Sequence, residues 1–314
     1  MKLPEFNNIQ DAHNRIRNQI KHTPVLTSES VNKILGCEIY FKCENFQKVG
    51  AFKFRGASNA VLSLTDDEAQ KGVATHSSGN HAQALALAAR MRGVPAYIVM
   101  PNNSPKVKSD AVAGYGGKII YCEPNLKARE DTLEKVTAET GAKFIHPYNN
   151  FNVICGQGTA AIELLDEVVD LDIVMTPVGG GGLLSGTSIS VKHISPKTEV
   201  IAGEPKGADD AYQSIMKGDI VPSVNPKTIA DGLLTSLGTL TFEIIKKNVS
   251  TILTVEEETI IKSMRLIWER MKIIIEPSCA VPVAAIMENP ERFKRKKVGI
   301  ILSGGNVDLG KLPF

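Results

Sequence analysis

Between residues 71 and 145 two rhythms of apolar and polar positions take turns along the chain. Short apolar runs at 72–75, 96–100, 118–121 and 143–145 have the length of buried strands, and the segments between them, 82–91, 105–113 and 126–140, repeat apolar residues at helical spacing. Strands and helices alternating at this pace predict a parallel sheet covered on both faces. A second series follows, with a helix at 159–169, a strand at 172–178, a helix at 183–193 and a strand at 199–204. Beyond an irregular part at 218–238 come helices at 256–271 and 280–287 and a last strand at 298–302. Upstream, Ile9, Ala12, Ile16 and Ile20 place a helix over 8–21, Pro24 stops it, 37–43 alternates as a strand, and 56–64 continues as a helix. The pattern predicts an α/β protein of two doubly wound domains, a small one (69–148) inserted in a large one (1–68 and 149–314).

Composition mainly removes alternatives. The 314 residues are 43% hydrophobic and 22% charged with a net charge of +2, so there is no broad cationic face for nucleic acid. The one dense basic run, Arg292-Phe293-Lys294-Arg295-Lys296-Lys297, reads as a solvated helix end before a strand. No apolar run approaches a membrane span and the first residues lack a signal-peptide core, so a cytoplasmic protein with neither membrane nor nucleic-acid partners is expected. Cys37, Cys43, Cys122, Cys155 and Cys279 contain no C-x-x-C pair and read as buried free thiols.

Candidate chemistry sits in glycine- and serine-rich turns. In Gly50-Ala51-Phe52-Lys53-Phe54-Arg55-Gly56 a lysine stands between two aromatic residues, where desolvation favours the neutral amine and hence Schiff-base chemistry with a carbonyl. The same alternation fits a half-buried strand with Lys53 and Arg55 outward. Gly179-Gly180-Gly181-Gly182 follows a strand and opens an apolar helix, the setting in which main-chain N–H groups converge on a phosphate. Neither G-x-G-x-x-G nor G-K-[ST] is present, so a small phosphorylated cofactor fits better than NAD or ATP as the guest of this loop. His76-Ser77-Ser78-Gly79-Asn80-His81 precedes another helix and serves at least as an N-cap. Ser303-Gly304-Gly305-Asn306 follows the last strand, where its hydroxyl meets a ring nitrogen or closes a turn.

Taken together, these four motifs resemble the fold-type II (tryptophan synthase β-like) pyridoxal-phosphate (PLP) enzymes, and within them the serine racemase and serine/threonine dehydratase family, which includes 3-hydroxyaspartate dehydratases. The resemblance runs from His22-Thr23-Pro24-Val25 to Ser303-Gly304-Gly305-Asn306-Val307-Asp308. It implies that Lys53 carries PLP and acts as base on one face of the substrate, that Phe52 packs beside the ring, and that Asn80 bonds its phenolic oxygen. Gly179, Gly180, Gly181 and Gly182 with the N–H of Leu183 would hold the phosphate, and Ser303 the pyridine nitrogen. Ser78 would be the base on the opposite face, as racemisation requires two. Ser77, Asn80 and His81 would take the substrate carboxylate through side chains or N–H groups, with Arg129 and Thr235 as further substrate contacts.

The resemblance further implies a divalent cation (Mg²⁺, Mn²⁺ or Ca²⁺) at Glu204, Asp210 and the carbonyl of Ala208, an all-oxygen set suited to such ions. An acidic helix start is the plain alternative there. ATP as an activator through Lys272, Gln83 and Asn306, and a homodimer, belong to the same expectation, whereas isoleucine feedback does not. One departure concerns the substrate: Tyr148, in His146-Pro147-Tyr148-Asn149-Asn150, stands where serine racemases carry a smaller polar residue and 3-hydroxyaspartate dehydratases a tyrosine. The expected activity is racemisation of serine with β-elimination from serine or threonine. The alternatives are a 3-hydroxyaspartate dehydratase or aspartate racemase, then a cysteine synthase-like enzyme or a non-catalytic PLP-binding module.

Overall fold

The computed structural model describes residues 2–314, and its strands form two sheets. In chain order they are β1 (Val25–Leu26), β2 (Glu38–Cys43), β3 (Val73–His76), β4 (Ala96–Pro101), β5 (Lys118–Cys122), β6 (Lys143–Phe144), β7 (Ile173–Pro177), β8 (Glu199–Pro205), β9 (Thr251–Val255) and β10 (Lys297–Leu302). Six make the larger sheet in the order β1-β2-β10-β7-β8-β9, parallel except for the β1–β2 pair. The other four make a parallel sheet ordered β5-β4-β3-β6. Parallel strands need crossovers, and helices supply them, so the alternation along the sequence becomes layers of helix, sheet and helix.

Each face of the larger sheet has its own core. On one, Phe41, Met175 and Ile300 pack against Ile260, Met264 and Ile267 of the Glu257–Met271 helix and Val283 and Ile286 of the Pro277–Glu288 helix. On the other, Val174, Val200 and Ile301 meet Leu164 of the Phe151–Glu167 helix, Leu184 of the Gly182–Ile194 helix and Ile245 of the Thr239–Asn248 helix. The Lys53–Leu62 helix shares the core of the smaller sheet through Phe54, Ala57 and Val61, while its other side rests on the Phe151–Glu167 helix.

The Lys53 segment is the first residue of that helix, so the strand alternative is set aside. The helix expected at 159–169 begins at Phe151, where the Asn150 side chain accepts the Val153 N–H at 3.0 Å. Gly156 and Gly158 hide this early start, since each weakens a helix by about 1 kcal/mol. They are there for close approach: a Cβ on Gly156 would lie 2.6 Å from the Arg55 carbonyl oxygen, and one on Gly158 2.8 Å from that of Gly186. The helix at 8–21 ends sooner, at Ile16, and the short elements Glu29–Leu35, Asp66–Lys71, Asp210–Lys217 and β9 are additions. All five cysteines are free and buried.

Beneath the Lys53–Leu62 helix lies a buried ion cluster. The Arg55 guanidinium donates to both oxygens of Glu44 (2.7 and 2.8 Å), to both of Glu163 (2.7 Å each) and to the Thr159 hydroxyl (3.1 Å), which uses all five of its N–H groups. Lys42 completes the charge balance at 2.8 Å from Glu163. Removing one member strands the others without solvent. Glu163→Leu is expected to lower the urea unfolding free energy by about 3–5 kcal/mol, whereas breaking the exposed Lys106–Asp110 pair should leave it almost unchanged; similar losses from both would show that the buried cluster is not the stronger constraint.

Candidate active site

Four neighbouring strands of the larger sheet end level with one another, Cys43 of β2 beside Leu302 of β10 and Pro177 of β7 beside Gly203 of β8, so their following loops leave the sheet side by side. Beyond such carboxyl ends lies the ligand crevice of an open α/β sheet. The β2 loop leads to Lys53, the β10 loop carries Ser303, the β7 loop is 179–182, and β8 runs into Glu204 and Asp210. The first two are zipped together: Phe52 N–H donates to the Ser303 carbonyl at 3.0 Å and Gly305 N–H to that of Gly50 at 2.9 Å. Gly50 has a positive φ of 68°, and a Cβ there would meet the Asn306 side chain at 2.7 Å.

The Lys53 side chain is half-buried, with Nζ 3.0 Å from the Pro147 carbonyl oxygen and 5.1 Å from the centre of the Phe52 ring. Burial pulls its pKa down to about 8, against the opposing pull of Glu276. At pH 7.5 this raises the neutral amine from about one molecule in a thousand to about one in four. The amine is thereby made a nucleophile by its surroundings.

Opposite it, none of the N–H groups of Gly179, Gly180, Gly181, Gly182 and Leu183 has an acceptor among the described residues. They open the Gly182–Ile194 helix, whose dipole adds to their attraction for an anion. The glycines are walled in as well: a Cβ on Gly179 would lie 2.9 Å from Leu233 Cα, and one on Gly180 2.4 Å from the Tyr148 ring. Thr241 holds the loop by donating its hydroxyl to the Gly180 carbonyl at 2.9 Å. Ser303 is buried and borders the Cys279 thiol, whose pKa burial pushes up.

The β3 loop brings Ser77 and Ser78, both half-buried, to the start of the Asn80–Arg92 helix, and Ser77 Oγ accepts the Gly79 N–H at 3.4 Å. Asn80 is held from both sides. Its Nδ2 lies 3.1 Å from each oxygen of Glu276, and its Oδ1 accepts from Asn306 Nδ2 at 2.8 Å. Burial lifts the Glu276 carboxyl to about 7 while the Asn80 amide works the other way. Glu276 was not legible beforehand: as the residue before Pro277 it reads as an ordinary acidic helix start.

His81 is buried, and burial holds its pKa down at about 3, so the ring is neutral. Its Nε2 lies 3.1 Å from the Ile145 carbonyl, which can only accept, so Nε2 carries the proton and the main-chain N–H is what His81 offers a carboxylate. Arg129, near His76, has a buried Nε without a partner. Thr235 is exposed and lies beside the Tyr148 hydroxyl.

At the end of β8, Glu204 accepts the N–H groups of Ala211 and Tyr212, each at 2.8 Å, and burial raises it to about 9. Asp210 is raised by burial to about 6, and both its oxygens lack a hydrogen-bond partner although Ser223 lies beside them. Two neighbouring buried carboxyls, one of them with both oxygens unpartnered, are what a divalent cation compensates, and with a main-chain carbonyl they fit one. No group of three His, Cys, Asp or Glu side chains gathers as a metal site among the described residues.

Residues 16–304 match the family model described as pyridoxal-phosphate dependent enzyme. The chain is 52% identical over 314 residues to a beta-hydroxyaspartate dehydratase of Paracoccus denitrificans, covering 100% of both chains. It is 52% identical to the serine racemase of Dictyostelium discoideum, covering 99% of this chain and 98% of that protein. The crystal structure of the Dictyostelium racemase superposes with a TM-score of 0.94 over 97% of this chain and 99% of that one.

The Lys53 environment makes a measurable prediction. The rate at which the cofactor-free protein forms a Schiff base with added pyridoxal phosphate should rise with pH around a midpoint near 8. Glu276→Gln should move that midpoint lower, because the Glu276 charge favours the ammonium. A midpoint near that of free lysine, about 10.4, would show that Lys53 is not desolvated.

Proposed function

The chain belongs to the pyridoxal-phosphate dependent enzyme family, and on that premise we propose that it is a serine racemase that also releases ammonia from serine or threonine by β-elimination. The observation that carries this reading is the convergence of a desolvated Lys53 with a cradle of unpaired N–H groups and the Ser77–Ser78 loop. In it Lys53 Nζ would bind the cofactor, Phe52 would flank the ring, and Asn80, Ser303 and the N–H groups of 179–183 would hold its phenolic oxygen, pyridine nitrogen and phosphate. Bound there, the cofactor supplies an electron sink for charge developing at the substrate α-carbon.

The chain's own groups do the rest. The N–H groups around Ser77, Asn80 and His81 orient the substrate carboxylate at a helix N-terminus. Lys53 Nζ removes the α-proton on one face, and Ser78 Oγ returns one from the other. Where the β-hydroxyl leaves first, as water that takes up the proton held on Lys53 Nζ, elimination follows, so one proton abstraction serves both outcomes. We assign a divalent cation, Mg²⁺ before Mn²⁺ or Ca²⁺, to Glu204, Asp210 and the Ala208 carbonyl, on the strength of the two partnerless Asp210 oxygens. Residues 69–148 as a small domain moving on the remainder, a cytoplasmic homodimer, and ATP activation through Lys272, Gln83 and Asn306 belong to the same proposal. Asn306 already bonds Asn80. No helix among the described residues is long and apolar enough to cross a membrane.

A second reading, a 3-hydroxyaspartate dehydratase or aspartate racemase, is favoured by the unpaired Nε of Arg129, which suits a second carboxylate, and by Tyr148.

Incubation of the cofactor-loaded protein and Mg²⁺ with L-serine or L-threo-3-hydroxyaspartate, followed by chiral chromatography and keto-acid assay, separates the readings. D-serine together with pyruvate is expected; turnover of hydroxyaspartate alone would replace the first reading with the second. Ser78→Ala should abolish racemisation and spare part of the elimination from L-serine, and equal loss of both would make Ser78 structural. Chelation should lower the melting temperature by several degrees, an effect that excess Mg²⁺ reverses and Asp210→Asn removes.

A further inference from the structure

The turn 146–149 touches nearly every part of the site, yet neither its conformation nor His146 has a role so far. Pro147 offers its carbonyl to Lys53 Nζ at 3.0 Å. The Tyr148 ring closes over Gly180 and its Cβ faces Gly182. Asn149 Oδ1 accepts the Leu240 N–H at 2.9 Å, tying the turn to the Thr239–Asn248 helix, and Asn150 caps the Phe151–Glu167 helix. Pro147 has no N–H to give, and neither the Tyr148 nor the Asn149 N–H finds a main-chain acceptor among the described residues.

His146 closes it instead. Its Nδ1 accepts the N–H of Tyr148 at 3.3 Å and of Asn149 at 3.0 Å. The ring also stands edge-on to Tyr148, with centroids 4.5 Å apart and planes at 87°, and edge-on to His76 at 6.5 Å. We propose that His146 is a positioning residue: one unprotonated ring nitrogen, accepting two successive N–H groups, fixes the turn that presents the Pro147 carbonyl to Lys53 and the Tyr148 ring to the glycine cradle. Burial and the neighbouring His76 hold its pKa down to about 4, so the ring stays an acceptor at neutral pH.

This rests on Lys53 being the cofactor-bearing lysine, and the test separates the two ideas. Asparagine places Oδ1 where histidine has Nδ1, whereas glutamine reaches the position of Nε2. His146→Asn should keep kcat for L-serine within about threefold of the parent, and His146→Gln should lower it about tenfold and weaken cofactor binding similarly, with KM for L-serine little changed. The visible absorption band of the bound cofactor should be preserved in the Asn variant and shifted or diminished in the Gln variant. If Asn and Gln behave alike while both remain folded by circular dichroism, the positioning role is overturned. Nitrogen-15 NMR of the unmodified protein reads the imidazole directly, whatever the variants do: an unprotonated Nδ1 with a protonated Nε2 is expected, and a protonated Nδ1 would overturn the proposal. Absence of a cofactor band in the parent protein would instead overturn the assignment of Lys53.

Discussion

A single guanidinium, that of Arg55, ties together three parts of the chain. Glu44 follows β2, Glu163 belongs to the Phe151–Glu167 helix, and Arg55 lies in the same helical turn as Lys53. Burying four charges costs several kcal/mol per ion, offset only where geometry is good and every donor is used. Here all five guanidinium donors are used, and Lys42, with bonds to Glu163 and the Thr23 carbonyl, neutralises the remaining charge. An assembly satisfied in one arrangement alone strongly penalises a rotated or displaced helix. The consequence is a Lys53 whose Cα has a fixed address.

Close contact of backbones is the complementary constraint. Gly156 lets the Phe151–Glu167 helix sit directly on the Arg55–Gly56 backbone, and Gly158 faces Gly186 of the Gly182–Ile194 helix. One helix therefore spaces the two ends of the site, the lysine at the start of one neighbour and the glycine cradle at the start of the other. Interiors pack too densely for either to shift alone.

Electrostatics within the site divides along the same geometry. Desolvation lowers Lys53, His81 and His146 and raises Glu276, Glu204 and Asp210, so the amine gives up its proton more readily, the imidazoles are neutral and the carboxyls hold protons more tightly. A pocket arranged this way keeps few fixed charges of its own and presents polarity through N–H groups and amides. That suits a ligand that brings its own phosphate and carboxylate.

Much of this was legible in the chain. The alternation of short apolar runs with helical periods determined the α/β class, because side-chain periodicity is a local property that burial on both sheet faces enforces. The glycine run, the Ser77–Ser78 loop and the Lys53 segment announced themselves because each uses residue types that their backbone or chemistry demands. What the sequence left open was anything decided by residues far apart. Lys53 heads a helix and is no strand residue, because its turn is seized by Glu44 and Glu163, respectively 9 and 110 positions away along the numbering. Glu276 became part of the site only because β10 and the Pro277–Glu288 helix bring it to Asn80, at a sequence separation of 196. His146 looked like an ordinary loop histidine until the fold placed Lys53 and the cradle on either side of its turn. Local pattern determined which elements form; burial and long-range pairing decided which of their side chains share a site and with what charge.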